Sequence, residues 1–161
     1  MTQHIMKSRA MSVIGAGVAA LTIVGTLAGC GGSGTEVTKD DSGATVIKFG
    51  INVANPAKQE PATSDIVEAF NKVNEGKYKV EFVAADTESH AKNMKLAASD
   101  GTLPQVFWVE GSQVTEFNEA GVLMDLTDFL DQNSDVKDAL NGSEAACRDG
   151  NGVQYGLPYQ S

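Results

Sequence analysis

The feature that most constrains the fold is the regular alternation of strand-like and helix-like segments between residues 45 and 120. Strand-like segments are rich in β-branched and aromatic residues, and the segments between them repeat apolar residues at helical spacing. The pattern predicts strands at 45–52, 77–83 and 106–109, and helices at 64–74, 88–99 and 112–120. Strands that alternate with helices of about 10 residues pair in parallel through right-handed crossovers. We therefore predict an α/β fold with a parallel sheet flanked by helices.

The strands are expected to occupy different positions in the sheet. Val106-Phe107-Trp108-Val109 is an unbroken apolar run, which is typical of a central parallel strand covered on both faces. Residues 77–83 instead alternate apolar and charged side chains, which indicates one wetter face. We expect the third strand in the middle of the core and the second towards the sheet edge.

The first helix has a predicted start and a predicted apolar face. Asp65 and Glu68 are spaced as a variant of the capping box that begins helices. Ile66, Phe70 and Val73 follow at positions i, i+4 and i+7, which is the spacing of one helix face.

The N-terminus has the layout of a secretory signal. Lys7 and Arg9 precede a charge-free apolar stretch, Met11–Leu27, and small residues follow. Leu27-Ala28-Gly29-Cys30 resembles the lipobox of bacterial lipoproteins, whose cysteine takes a diacylglyceryl group and becomes the new N-terminus. The alternative is a transmembrane anchor, because roughly 17 apolar residues are at the lower limit for a span.

Three sections of the chain follow from this interpretation. Residues 1–29 are predicted as a lipoprotein signal peptide, and residues 30–44 as the lipidated Cys30 with a Gly/Ser-rich flexible tether. Residues 45–161 are predicted as part of a folded lobe. The mature protein is then expected on the outer face of the cell membrane, held by its lipid.

Charge and cysteine content exclude other classes. The net charge of −9 argues against nucleic acid as a partner, because such binding needs clustered Lys and Arg. With only two cysteines, no disulfide framework supports the fold. Cys147 is either a free thiol or half of a bridge to a cysteine beyond this sequence.

Several segments, in order, resemble the extracellular solute-binding proteins of bacterial ABC importers, family 1, which includes maltose- and oligosaccharide-binding proteins. The matching segments are Ala69–Lys72, Val80–Val83, Lys95–Val106, Gly121–Thr127 and Tyr155–Pro158. Gln105 departs from the pattern, since the family usually has Asp there. The resemblance implies a periplasmic-binding-protein-like (type II) N-terminal lobe, truncated before the second lobe.

Candidate ligand residues follow from the sheet. Ligands of open α/β sheets bind beyond the carboxyl ends of the strands. That rule selects Asn52 and Asn55 after the first strand, and Trp108, Glu110 and Gln113 after the third. Trp108 and Glu110 are two residues apart and share a face if the strand extends that far.

The family resemblance assigns ligand contacts to some of these residues, and structural roles are the alternatives for Trp108 and Glu110. Maltose-binding members have a Phe-Trp pair followed shortly by an acidic ligand residue, so Phe107-Trp108-Val109-Glu110 looks like a sugar contact. Resemblance also places Tyr159 and Gln160 near the cleft mouth. The alternatives are that Trp108 is a core residue and that Glu110 is a helix-initiating acid.

Catalytic and metal chemistry have little support. His90 is assigned to a surface position of the second helix, because no Cys or His partner stands at ligand spacing. Asp125, Asp128, Asp131 and Asp135 lack the spacing of a calcium loop and are assigned to a solvated face. The G-x-S-x-G elbow of hydrolases is absent from the sequence. We expect no enzyme activity, no cofactor and no metal.

The predicted function is the substrate-binding component of an ABC importer. It would bind a carbohydrate, in particular an oligosaccharide, and deliver it to the permease subunits in the membrane as a monomer. Binding of a non-sugar solute, such as a peptide, polyamine or iron chelate, stays open as an alternative. An exported hydrolase is the second alternative.

Overall fold

Three parallel strands form the sheet, in the spatial order β2-β1-β3: β1 (Thr45–Ile51), β2 (Tyr78–Ala84) and β3 (Val106–Phe107). The computed structural model describes residues 37–159. β1 pairs with β2 over its whole length, whereas it pairs with β3 only at Phe49 and Gly50. The predicted α/β class with a parallel sheet is confirmed.

Six α-helices and one 3₁₀ turn follow or connect these strands. They are α1 (Pro56–Gln59), α2 (Pro61–Val73), α3 (Thr87–Asp100), α4 (Gly111–Glu119), α5 (Thr127–Gln132), α6 (Ser134–Leu140) and the 3₁₀ turn Ser143–Cys147, all within the described range. The three predicted helices correspond to α2, α3 and α4. α1 and α6 were not anticipated as separate helices.

Within residues 37–159, the third strand does not occupy the central position that the sequence predicts. β3 is a two-residue strand with one neighbour, and Val106 is 50% exposed. β1 occupies the centre instead, because it alone hydrogen-bonds on both sides. An apolar run indicates that side chains prefer burial, but the order of strands depends on pairing with distant segments. The edge position predicted for residues 77–83 is confirmed by β2.

The predicted start of the first helix is also wrong. α2 begins at Pro61, and its N-cap residue is Glu60, so Asp65 lies inside the helix. Proline favours the first helical position, because its fixed φ suits the helix and its missing N–H would be unpaired there anyway.

The apolar face of α2 is open among the described residues. Ile66 is 69% exposed and Val73 is 84% exposed. The helix is joined to the sheet through Asn71, whose side chain accepts the Val80 N–H at 2.7 Å and donates to the Val80 carbonyl at 3.0 Å. A polar side chain therefore links α2 to the strand by two hydrogen bonds.

The core lies between α3, α4 and the segment around β3. Met94, Leu103 and Phe117 are buried together, and Phe107 packs on Phe117 with ring centroids 5.3 Å apart. The partly buried residues around them are Ala97, Ala98, Phe107, Val109, Val122 and Leu123.

A hydrogen-bonded turn leads into β1. The Asp40 carboxylate accepts the N–H groups of Ser42 and Ala44, and the Ser42 hydroxyl bond holds the pKa of Asp40 below its usual value. Ala44 is 2% exposed. This turn lies in residues that composition assigned to the tether, whose boundary at residue 44 stays a prediction.

Residues 1–36, and with them the proposed signal peptide and Cys30, lie outside the described part of the chain. Within residues 37–159, none of the helices has the length and hydropathy needed to span a bilayer.

The C-terminal part of the described chain is organised by Gln154, which is 1% exposed. Its amide nitrogen donates to the carbonyls of Glu144, at 2.9 Å, and Gly156, at 2.5 Å. Its amide oxygen accepts from Arg148 Nε at 3.1 Å. One buried amide thus joins the 3₁₀ turn to the Tyr-Gly-Leu-Pro segment that follows.

Candidate functional site

Backbone hydrogen bonds bring the carboxyl ends of the three strands to one edge of the sheet. The Trp108 N–H donates to the Gly50 carbonyl at 2.8 Å, and the Ala85 N–H donates to the Ile51 carbonyl at 3.2 Å. The Thr87 hydroxyl donates to the Asn52 carbonyl at 3.2 Å. Asn52 and Trp108 therefore lie at the same edge, as parallel pairing requires.

Trp108 is half-buried at this edge. Its indole ring meets the His90 imidazole edge to face, with centroids 6.1 Å apart and planes 63° apart. Strand β3 ends at Phe107, so the condition under which Trp108 and Glu110 would share a strand face is not met. The position of Glu110 is set by the helix that begins after it.

Glu110 and Gln113 stand at the start of α4. Glu110 is the N-cap residue, with extended backbone, and its carbonyl accepts the Gln113 N–H at 2.8 Å. Its exposed carboxylate makes no capping bond, so the helix-initiating alternative describes its backbone but not its side chain. Within residues 37–159 the side-chain polar groups of Glu110, Gln113 and Asn52 have no hydrogen-bond partner, and they are available to a ligand.

Asn55 and Tyr159 have polar groups that are already engaged. The Asn55 side chain caps α1 by accepting the Lys58 N–H at 3.2 Å. The Tyr159 hydroxyl hydrogen-bonds the Thr63 hydroxyl at 2.5 Å, and Glu60 lies 3.5 Å away. Tyr159 also lines an open groove of about 370 Å³ beside residues 139–143. Gln160 lies outside the described residues.

His90 is not at the surface, so its predicted position is wrong. Its side chain is 1% exposed, and Nε2 lies 2.7 Å from the Trp108 carbonyl oxygen. The sequence did contain a signal: His90 precedes Met94 by four residues, so the two share one helix face. Met94 is 4% exposed, and that face is the buried one.

The aspartates and the cysteine that were considered for metal or thiol chemistry are explained by local hydrogen bonds, an ion pair and burial. In the described part of the chain, no three of the His, Cys, Asp and Glu side chains gather as a metal site would require. Asp125 accepts the Thr127 N–H, and bonds to Thr127 hold the pKa of Asp125 below its usual value. Asp131 pairs with Lys137 at 2.9 Å. Cys147 is a free thiol whose pKa is raised by burial.

Comparison with protein families decides the class of molecule. Residues 65–161 match the family described as bacterial extracellular solute-binding protein. The chain belongs to this family. The resemblance noted in the sequence is confirmed, and membership of this family implies a location outside the cytoplasm. The family consists of binding proteins and not of enzymes, which agrees with the prediction.

Two similar solved structures support the fold. One comes from work on xylan utilization by the thermophilic bacterium Caldanaerobius polysaccharolyticus. It is 26% identical to this chain, with a TM-score of 0.59, and the match covers 70% of this chain and 28% of that one. The other is an ABC substrate-binding protein from Listeria monocytogenes in complex with cycloalternan, 23% identical, with a TM-score of 0.55, covering 69% of this chain and 28% of that one. A search of curated proteins gives no match. The chain thus spans 28% of the length of each structure.

Proposed function

We propose that the full-length protein containing this chain is the extracellular substrate-binding component of an ABC importer. It captures a carbohydrate, in particular an oligosaccharide, and delivers it to the permease subunits in the membrane. Residues 45–161 belong to the N-terminal lobe, which traps ligand against a second lobe. Such proteins close around ligand by hinge motion, so we expect one lobe alone to bind weakly.

The observation that carries the proposal is a set of side chains at the carboxyl edge of the sheet that have no hydrogen-bond partner among residues 37–159. Trp108 offers a half-buried ring, Glu110 an exposed carboxylate, and Asn52 and Gln113 their amides. Sugars combine an apolar ring face with hydroxyl groups, so their sites need an aromatic surface together with carboxylates and amides. Asn55 and Tyr159 are proposed as further contacts, which ligand would reach by replacing their present bonds.

The similar structures favour a saccharide. The work on one concerns xylan utilization, and the other holds cycloalternan. The alternative ligand is a non-sugar solute, such as a peptide, a polyamine or an iron chelate.

A ligand screen of the full-length protein tests the proposal. We expect xylo-oligosaccharides or cycloalternan to raise its melting temperature, because ligand bound to the folded state stabilises it by mass action. Peptides, polyamines and iron chelates should leave it unchanged. A shift with one of these and none with any saccharide would replace the carbohydrate assignment.

Two variants locate the binding to the sheet edge. We expect Trp108→Ala and Glu110→Gln each to weaken saccharide binding by about 1 to 3 kcal/mol, measured by calorimetric titration. Phe129→Ala and Glu119→Gln are matched controls, since Phe129 is 46% exposed on α5 and Glu119 ends α4. Saccharide affinity that is equal in the site variants and the controls would remove this edge from the binding site.

Membrane attachment is proposed through lipid on Cys30 after cleavage of residues 1–29, with residues 30–44 as the tether. We expect Cys30→Ser to release the protein from the membrane fraction, because the thiol that accepts the lipid is gone. Cys147→Ser, a change of the other cysteine, should remain membrane-bound. Retention of the Cys30→Ser protein in the membrane would favour the transmembrane alternative.

A further inference from the structure

His90 is a buried imidazole that the proposed binding site does not yet use. It lies in the first turn of α3, where its N–H donates to the Asp86 carbonyl at 2.7 Å. The Asp86 carboxylate caps the same turn by accepting the Ser89 N–H at 3.0 Å. The helix start therefore holds the His90 backbone in place.

The surroundings of the ring define its tautomer. A carbonyl oxygen can only accept, so the 2.7 Å contact with Trp108 requires a hydrogen on His90 Nε2. Nδ1 is buried and has no hydrogen-bond partner among residues 37–159. The neutral ring with its hydrogen on Nε2 is the form that leaves no buried N–H unpaired.

This hydrogen bond holds the first residue beyond the strand pairing of β3. The Trp108 N–H is fixed by the Gly50 carbonyl of β1, at 2.8 Å, and the Trp108 carbonyl is fixed by His90 of α3. Both backbone polar groups of Trp108 are thus bound, one on each side of the chain. Glu110, the N-cap residue of α4, follows two residues later.

The ring of His90 contacts the ring of Trp108 as well. The edge-to-face arrangement with centroids 6.1 Å apart limits how the indole can tilt. The His90 ring packs closely over Gly50, since a Cβ at this position would lie 3.3 Å from His90 Cε1. Strand, helix and aromatic ring therefore meet at one buried point below the sheet edge.

We propose that His90 is a positioning residue of the ligand site, which holds the Trp108 backbone and ring in the orientation that binds ligand. This inference rests on the proposed function, in which Trp108 contacts a saccharide. Without the His90 ring, the Trp108 carbonyl loses its hydrogen-bond partner and the indole loses the imidazole against which it packs. Ligand must then order the segment on binding, which lowers affinity.

The test compares two variants in the full-length protein, with xylo-oligosaccharides and cycloalternan as probes. His90→Leu removes the donor, and we expect it to raise the dissociation constant about tenfold, the effect of one such hydrogen bond. His90→Gln places an amide N–H close to the position of Nε2 and should bind nearly as tightly as wild type. Equal losses in both variants would overturn the proposal, since the donor would then be irrelevant.

A fluorescence measurement separates this inference from the proposed function. The Trp108 signal, taken as the difference from the Trp108→Phe protein, should be quenched more by acrylamide in His90→Leu than in wild type, without ligand present. Unchanged quenching would refute the positioning role. If no saccharide binds wild type, the proposed function fails, yet the quenching result still decides whether His90 holds Trp108 in place.

Nitrogen NMR of the wild-type imidazole needs no variant to fold. We expect the chemical shifts of a neutral ring with its hydrogen on Nε2. A ring with its hydrogen on Nδ1 could not donate to Trp108 and would overturn the proposal.

Discussion

Gly50 is the position where a single added methyl group tests the packing below the sheet edge. It lies in the central strand, and its ideal Cβ would be 3.0 Å from Pro104 Cγ, 3.1 Å from Phe107 Cβ and 3.3 Å from His90 Cε1. None of these atoms is the free end of a flexible side chain. The first belongs to a buried proline ring, the second is attached to the β3 backbone, and the third belongs to a ring tied to Trp108. Gly50→Ala can be accommodated only if β3 or α3 moves away from β1.

The expected cost follows from two opposing terms. Overpacking of this kind destabilises by about 1 to 3 kcal/mol. Replacing glycine also reduces the conformational entropy of the unfolded chain, which stabilises the folded state by about 0.4 to 1 kcal/mol. We therefore expect Gly50→Ala to lower the free energy of unfolding by about 1 to 2 kcal/mol.

Equilibrium urea denaturation of the full-length protein measures this change. Gly150→Ala is the matched control, because nothing lies within 4 Å of its Cβ position and its φ is not in the left-handed region. We expect the control to stay within about 0.5 kcal/mol of wild type. A Gly50→Ala protein as stable as wild type would show that the packing around Gly50 is looser than the distances indicate.

Two further predictions concern stability. Phe117 is 3% exposed and packs on Phe107, so Phe117→Ala should lower the free energy of unfolding by about 3 to 5 kcal/mol. Phe129→Ala, a change on the surface, should lower it much less. Similar losses in the two variants would contradict the assigned core. Bonds from Ser89 hold the pKa of Asp86 below its usual value, so Asp86 stabilises the folded state above the unfolded pKa, and this contribution is lost as pH falls through the folded pKa. Melting temperature should accordingly fall less steeply on acidification in Asp86→Asn, which keeps a capping side chain without the charge, than in wild type; parallel curves would contradict it.

Part of the candidate site could be predicted from the sequence. Asn52, Trp108, Glu110 and Gln113 were selected because ligands bind beyond the carboxyl ends of parallel strands, and the structure brings them to one edge. Whether they bind ligand stays a prediction. The role of Asn55 as a helix cap and the bond between Tyr159 and Thr63 were not anticipated, since each depends on a helix or a contact that the local pattern does not reveal.

The sequence by itself determined the α/β class, the three main helices, the edge position of β2 and the family. The fold class, the helices and the strand position depend on side-chain periodicity, which is visible in neighbouring residues, whereas the family rests on the resemblance of several sequence segments to its members. Only the tertiary structure decided that β1 is central, that Val106 and the Ile66 face of α2 are exposed, and that His90 is buried. Such outcomes depend on which distant segments meet, and Gly50, His90 and Trp108 come together only because three separate elements converge on one end of the sheet.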